Sequence, residues 1–195
     1  MRHLLAALVL AATCACSAAA AETVAPWGIE QLMQNLAQVK SARGQFVERK
    51  YLAVLNAPLD SSGTLVYTAP GRLEKYTLLP KPEILVLEHD KLVIEYKDRN
   101  QRRTLALQDY PVIWAFVESI RSTLAGDLRT LNRFYRASLE GSDDKWRLSL
   151  KPAEPKIQTL VKEIHIGGSR NRVRTIEIIE AEGDRSVMTI TEDAP

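Results

Sequence analysis

Short apolar runs recur along most of this chain, each closed by turn residues. The segment Gly63–Tyr96 reads GTLVYTAPGRLEKYTLLPKPEILVLEHDKLVIEY, with breaks at Pro70-Gly71, Pro80-Lys81-Pro82 and Glu88-His89-Asp90. Runs of this length rich in Leu, Val, Ile and Tyr, separated by such residues, are antiparallel strands in sequence order. They leave no room for crossover helices, which excludes a parallel sheet here. The spacing predicts strands near 63–69, 72–79, 83–88, 91–97 and 102–107. A long strand over Gln45–Leu55 precedes them and ends at Asn56-Ala57-Pro58, and Asp60-Ser61-Ser62-Gly63 reads as a turn. The last third predicts five more strands: Phe134–Leu139, Lys145–Leu150, Val161–Gly167, Arg172–Glu180 and Ser186–Thr191. The segments between them, such as Gly141-Ser142-Asp143-Asp144 and Glu182-Gly183-Asp184, have turn chemistry.

Two stretches switch to a helical period. Ile29, Leu32, Met33, Leu36 and Val39 mark a helix over Ile29–Lys40. Ile113, Phe116, Val117, Ile120 and Leu124 mark a second, with Asp109 as its expected cap, Pro111 in its first turn and Gly126 at its end. Val112 and Trp114 widen its apolar surface, so this helix is either deeply buried or lies across an apolar opening. A shorter helix begins at Asp127, with Leu128, Leu131 and Phe134 inward. The total is about eleven strands and three helices.

Residues 1–21 have the form of a secretory signal: Arg2 and His3, the apolar run Leu4–Ala12, and small residues up to Ala21. The apolar run is far shorter than the roughly 20 residues a spanning helix needs. Cleavage after Ala21 removes both cysteines, Cys14 and Cys16, so no disulfide is expected although the compartment would permit one. Residues 22–195 then form one domain, and losing Arg2 leaves 25 basic against 24 acidic residues. So balanced a charge creates no long-range field for nucleic acid or a membrane. The cluster Lys97, Arg99, Arg102 and Arg103 reads as a solvated hairpin tip, with acidic lipid headgroups as the minor alternative.

Catalytic patterns are missing. His89 lies in a turn and His165 in a strand, and no cysteine remains to join them in a metal or nucleophilic site. There is no Gly-x-Ser-x-Gly elbow and no phosphate loop. Gly167-Gly168-Ser169 leads into another strand, so no helix N-terminus is offered to an anion. The aromatics are not interleaved with basic residues, which disfavours binding of single-stranded nucleic acid. A secreted β container remains, one that holds something apolar without transforming it. No enzyme activity, cofactor or metal is expected.

The order of parts from Ile29 to Ile190 resembles the outer-membrane lipoprotein carriers, LolA and its relatives. Val39-Lys40-Ser41-Ala42-Arg43-Gly44-Gln45-Phe46 is similar to the family's helix-to-first-strand passage. Gly63-Thr64-Leu65-Val66-Tyr67-Thr68-Ala69-Pro70-Gly71-Arg72-Leu73 is similar to its Gly-x-Leu…Pro-Gly segment. Pro82-Glu83 with Ile84–Leu87 and Asp90-Lys91-Leu92 resembles the hairpin that follows, and Gly183-Asp184-Arg185-Ser186 the closing pair. The whole looks most like a divergent LolA-related branch. Two positions depart from the family pattern: Ala69 stands where an Arg often precedes the proline, and Lys75, beside Tyr76, stands where an aromatic is common.

The resemblance implies a mainly β fold, an unclosed antiparallel barrel with helices as a lid. It implies a periplasmic carrier of acyl chains, of a lipoprotein or another acylated lipid, loaded by an inner-membrane ABC exporter and unloaded to an outer-membrane acceptor. A monomer is expected. The expected cavity and lid residues are Phe46, Leu65, Tyr67, Leu73, Leu85, Leu87, Leu92, Ile94, Trp114, Phe116 and Ile120. Two alternatives remain: a sensor or scaffold domain on the same fold, and a LolB-like acceptor anchored through a lipidated Cys14 or Cys16.

Overall fold

The computed structural model describes residues 27–193. The expected signal segment, with Cys14 and Cys16, lies outside the described residues. Eleven strands run in one antiparallel sheet: β1 (Ser41–Tyr51), β2 (Leu59–Thr68), β3 (Arg72–Leu79), β4 (Glu83–Glu88), β5 (Lys91–Tyr96), β6 (Gln101–Ala106), β7 (Tyr135–Ser142), β8 (Lys145–Pro152), β9 (Val161–Ser169), β10 (Arg172–Glu180) and β11 (Arg185–Glu192). Four helices accompany them: α1 (Ile29–Ala37), α2 (Pro111–Ala125), α3 (Leu128–Phe134) and the single turn α4 (Pro155–Gln158). The sheet order is β6-β5-β4-β3-β2-β1-β11-β10-β9-β8-β7. Every neighbour is a hairpin partner except β1 and β11, which join two meanders edge to edge. The free edges are therefore β6 and β7, and the chain between them carries α2 and α3. The sheet stays open, and helices occupy the connection that closure would have used.

Several boundaries differ from the expectation, beginning with α1, which stops at Ala37 and not Lys40. The first strand starts at Ser41, not Gln45, because Ser41–Gly44 pair with Leu65–Thr68. It ends at Tyr51, so Val54 and Leu55 lie exposed in the connection that follows. Asp60–Gly63 is strand, not turn. Ser61 and Ser62 lie opposite Glu48 and Val47, and Asp60 meets Arg49 at 2.9 Å. Pairing with a long partner strand outweighs the local turn preference of small polar residues. Finally, Asp109 does not cap α2. It belongs to a 3-10 turn at Leu107–Asp109, anchored by the buried Leu107, and Pro111 opens the helix without a side-chain cap. Without an amide proton, Pro111 leaves one fewer donor to satisfy there.

The closely packed core lies on the β7–β9 side. Leu148, Leu150, Ile164 and Ile166 are fully buried beneath Leu32 and Leu36 of α1 and Leu131 of α3. Each such side chain contributes about 1.5–3 kcal/mol by leaving water. On the β2–β5 side most inward residues are only half-buried, because no helix rests directly on them.

Two glycines permit close approaches. At Gly63 a Cβ would lie 1.9 Å from the Tyr76 carbonyl oxygen and 3.0 Å from the Phe46 ring, which packs across the strand pair. Gly126, at φ +69°, ends α2, with the Asp127 N–H donating to the Ser122 carbonyl at 2.8 Å. A Cβ there would meet the Met33 carbonyl oxygen at 2.1 Å, so α1 and α2 touch through this residue. The short helix expected to begin at Asp127 begins at Leu128, and Asp127 caps it: its carboxylate accepts from the Thr130 N–H at 2.9 Å and hydroxyl at 2.6 Å. These hydrogen bonds, the hydroxyl's first, hold the Asp127 carboxyl below its ordinary value.

Gly126→Ala is expected to destabilise the protein by at least about 1–2 kcal/mol in chemical denaturation, through both strain and the clash with α1. Asp127→Ala is expected to cost about 1 kcal/mol at neutral pH. Because the folded-state pKa is lowered, that difference is complete above the unfolded carboxylate pKa. It shrinks as pH falls through the folded value, and denaturation at a series of acidic pH values measures it.

Candidate functional site

The hydroxyl-bearing residues of α2 are its most buried. Ala115, Ser119, Ser122 and Thr123 face the rest of the protein, while Phe116, Val117, Ile120 and Leu124 are only partly buried. This inverts the usual amphipathic helix. Small residues allow close helix packing, and their hydroxyls are satisfied within the helix. Thr123 donates to the Ser119 carbonyl (2.6 Å), Ser119 to that of Phe116 (2.6 Å) and Ser122 to that of Glu118. Of the large side chains, Phe116, Ile120 and Leu124 pack against the margin of the core, and with Val117 they border a space that the protein does not fill.

That space is a cavity of about 380 Å3, within the range of small-molecule sites. Its wall is overwhelmingly apolar. Leu65, Tyr67, Leu73, Leu85, Leu87 and Leu92 of β2–β5 form one side, and Phe116 and Ile120 of α2 face them. These eight of the expected site residues are brought together. Cross-strand register explains it: Leu65 faces Lys75 and Lys75 faces Leu85, while Tyr67, Leu73, Leu87 and Leu92 follow in one row. Residues directly opposite one another across antiparallel strands share a face of the sheet. Burial pushes the Tyr67 phenol above its ordinary value, so it stays neutral in the wall.

Three expected residues lie outside the lining. Phe46 is 1% exposed and packs with its ring beneath the Lys75 ammonium, 4.8 Å away. Ile94 pairs with Leu85 but sits beyond the cavity edge. Trp114 turns to another side of α2, against Phe134 with ring centroids 5.9 Å apart, and donates to Glu118 at 2.9 Å.

The opposite wall was not anticipated. Ile176 and Ile178 of β10, Met188 and Ile190 of β11, Leu36 of α1 and Val39 just past the end of that helix add to the lining. The apolar residues of β10 and β11 were a signal that some of these point inward, but Val173, Ile176, Ile178 and Ile179 do not alternate cleanly. Only the β1–β11 pairing tells which enclosure they enter. Five charged residues in the lining, Arg43, Glu48, Glu74, Lys75 and Glu192, were also missed, and of these Glu48 and Lys75 form an ion pair with each other at 2.5 Å.

The helix over the cavity is fastened at one end. Glu118, 4% exposed, is paired with Arg121, and the Arg121 guanidinium also donates to the His89 carbonyl oxygen in the β4–β5 turn at 2.5 Å. Its aliphatic stem covers Gly71 in the β2–β3 turn, where a Cβ would meet Cδ at 2.7 Å. Burial lowers the guanidinium from its ordinary value, but an arginine so placed still carries its charge. One residue thus ties α2 to two turns of the sheet rim.

Other features are bland. His165 bonds Ser149 at 2.9 Å on a strand, and His89 serves through its backbone. Among the described residues, no group of three His, Cys, Asp or Glu side chains is placed to hold a metal. No described helix is long and apolar enough to cross a membrane. At the basic hairpin tip, Lys97 and Arg102 pair with Glu95, and Arg99 stacks 5.6 Å from the Tyr96 ring.

This chain is similar to several known proteins. An outer-membrane lipoprotein carrier protein from Cupriavidus taiwanensis is 28% identical over 165 residues, covering 83% of this chain and 75% of the relative. A conserved protein of Thermus thermophilus has a similar fold, with a TM-score of 0.51, 8% identity and 84% of each chain covered. A LolA superfamily protein from Nitrosomonas europaea superposes with a TM-score of 0.42 at 11% identity, over 87% of this chain and 96% of its own. The profile of the family described as "Outer membrane lipoprotein carrier protein LolA-like" matches residues 18–194, and the chain belongs to that family.

Proposed function

We propose that this protein binds the acyl chains of a lipoprotein, or of another acylated lipid, in the cavity beneath α2 and carries them through the periplasm toward the outer membrane. The observation that carries this reading is the lining of the cavity: α2 offers it the partly buried Phe116, Val117, Ile120 and Leu124, opposite the leucines of β2–β5. The lipoprotein carrier from Cupriavidus taiwanensis supports the cargo class. An inner-membrane ABC exporter would load the protein and an outer-membrane acceptor would unload it, with no catalytic step.

The energetics suit reversible carriage. Burying an acyl chain contributes about 0.8 kcal/mol per methylene, so ten methylenes give roughly 8 kcal/mol. Such cargo is held firmly in water and released only when a comparable apolar surface is offered. A helix that closes over the cavity when it is empty reduces the net gain and makes release possible. Arg121 sets that closure. It is the contact that must break, or shift, for α2 to rise from the β2–β3 and β4–β5 turns.

Native mass spectrometry of the protein purified from a Gram-negative periplasm, followed by lipid extraction, tests the carrier. Near-stoichiometric acylated molecules are expected, and an apo mass unchanged by incubation with lipoproteins and phospholipids would refute it. Phe116→Glu and Ile120→Glu are expected to abolish lipid binding while circular dichroism shows an intact fold; unfolding of both would make α2 ordinary core. Arg121→Ala is expected to raise hydrogen exchange in α2 and speed release of a bound fluorescent fatty acyl probe severalfold, with the β7–β9 amides unchanged.

A further inference from the structure

The Glu48–Lys75 pair stands in a mostly hydrocarbon wall, whose other charged residues pair with partners outside the lining: Arg43 with Asp193, Glu74 with Arg72 and Glu192 with Arg172. Lys75 of β3 has the cavity residues Leu65 and Leu85 directly opposite it on either side, and Glu48 of β1 has Met188 opposite on β11. The two side chains are 23% and 18% exposed, so both are largely withdrawn from water. An ion pair in such a place is no more stabilising than a well-packed apolar pair of similar volume. It does supply something an apolar pair cannot: a donor and an acceptor held side by side, with no net charge, at the surface of a hydrocarbon-lined cavity.

The bonding of the pair is incomplete. Glu48 Oε2 accepts from Lys75 Nζ at 2.5 Å and from Ser61 Oγ at 3.4 Å. Among the described residues, Glu48 Oε1 has no hydrogen-bond partner, and Lys75 uses one of its three N–H donors in a hydrogen bond. The Phe46 ring, 4.8 Å from the ammonium, fixes where that charge sits. A saturated chain can use neither free group. A free carboxylate would compete with Glu48 for the ammonium and meet its negative charge. A neutral group with a carbonyl oxygen and an N–H matches both.

We infer that this pair recognises the amide joining an acyl chain to the rest of the cargo, the carbonyl accepting from Lys75 and the N–H donating to Glu48. The cavity then selects N-acyl molecules over alkyl ethers and free fatty acids with the same chain. The inference rests on the container reading above and adds a specificity residue pair to it.

The test is displacement of a bound fluorescent fatty probe from the purified full-length protein by four ligands of equal chain length. They are a neutral N-dodecanoyl dipeptide amide, N-dodecanoyl glucosamine, a dodecyl ether and dodecanoate. Either N-acyl ligand should bind about tenfold or more tighter than the ether, as hydrogen bonds to charged groups permit. Equal affinity of the two places recognition at the linkage alone, and a preference identifies an acylated peptide or an acylated amino sugar as the source. The preference should vanish in Glu48→Leu with Lys75→Met, checked for folding by circular dichroism, and persist in Lys75→Arg. Ether binding equal to amide binding in the unmodified protein overturns the inference and leaves the container standing. So does tighter binding of dodecanoate, or a preference that survives the double substitution. A folded double variant that binds no ligand also overturns it, because the pair then serves the wall and not selection. Failure of all four ligands on the unmodified protein removes the container reading as well.

Discussion

The pairing of β1 with β11 is the contact on which the architecture depends. Eight residue pairs, from Gly44 with Glu192 to Tyr51 with Arg185, join the first strand to the last. Each meander alone is a run of hairpins with one apolar face and two free edges. Joined through β1, they become one sheet whose apolar face is continuous from Leu92 to Leu150. Sheet twist curves such a surface, and the free edges β6 and β7 are left to be bridged by the helical connection. The cavity exists because the joint is made in the middle of the sheet while closure at its edges is not.

The two halves of that sheet are treated differently. Over β7–β9, α1 and α3 pack Leu32, Leu36 and Leu131 into the core of the strands. Over β2–β5, α2 stands off. Its approach is set on the other side, by small residues packed tightly and by Gly126 against the backbone of Met33. A helix held closely there keeps Phe116 and Ile120 at a distance from Leu65 and Leu85. The dense half supplies stability, and the open half remains available for binding.

Polar groups within this apolar structure fall into two kinds. Ser119, Ser122 and Thr123 are buried but satisfied by their own helix, so they act only as small residues. Glu118 with Arg121, and Glu48 with Lys75, are ion pairs at the cavity rim and wall. The former joins α2 to the turns at His89 and Gly71. The latter leaves a carboxylate oxygen and N–H donors without partners in the structure. The difference between a satisfied and a half-satisfied polar group separates packing from recognition in this protein.

Strand order within each meander was legible from the sequence, because apolar runs between Pro, Gly, Asn and Asp turns leave hairpins as the only connection. The inward row Leu65, Tyr67, Leu73, Leu85, Leu87 and Leu92 was legible too, since alternation with period two assigns residues to a face. The stripe on α2 and the Gly126 stop followed from helical periodicity and the left-handed freedom of glycine. Turn propensity misread Asp60–Gly63, because pairing with β1 supplied hydrogen bonds that no local rule anticipates. Phe46, Ile94 and Trp114 show the limit of face assignment: periodicity says which side a residue is on, not whether space or protein lies there. The wall of β10 and β11, the standoff of α2 and the meeting of Glu48 with Lys75 were decided only by tertiary structure. Each depends on contacts between segments far apart in the chain, whose register is set by the whole sheet and is encoded at no single site.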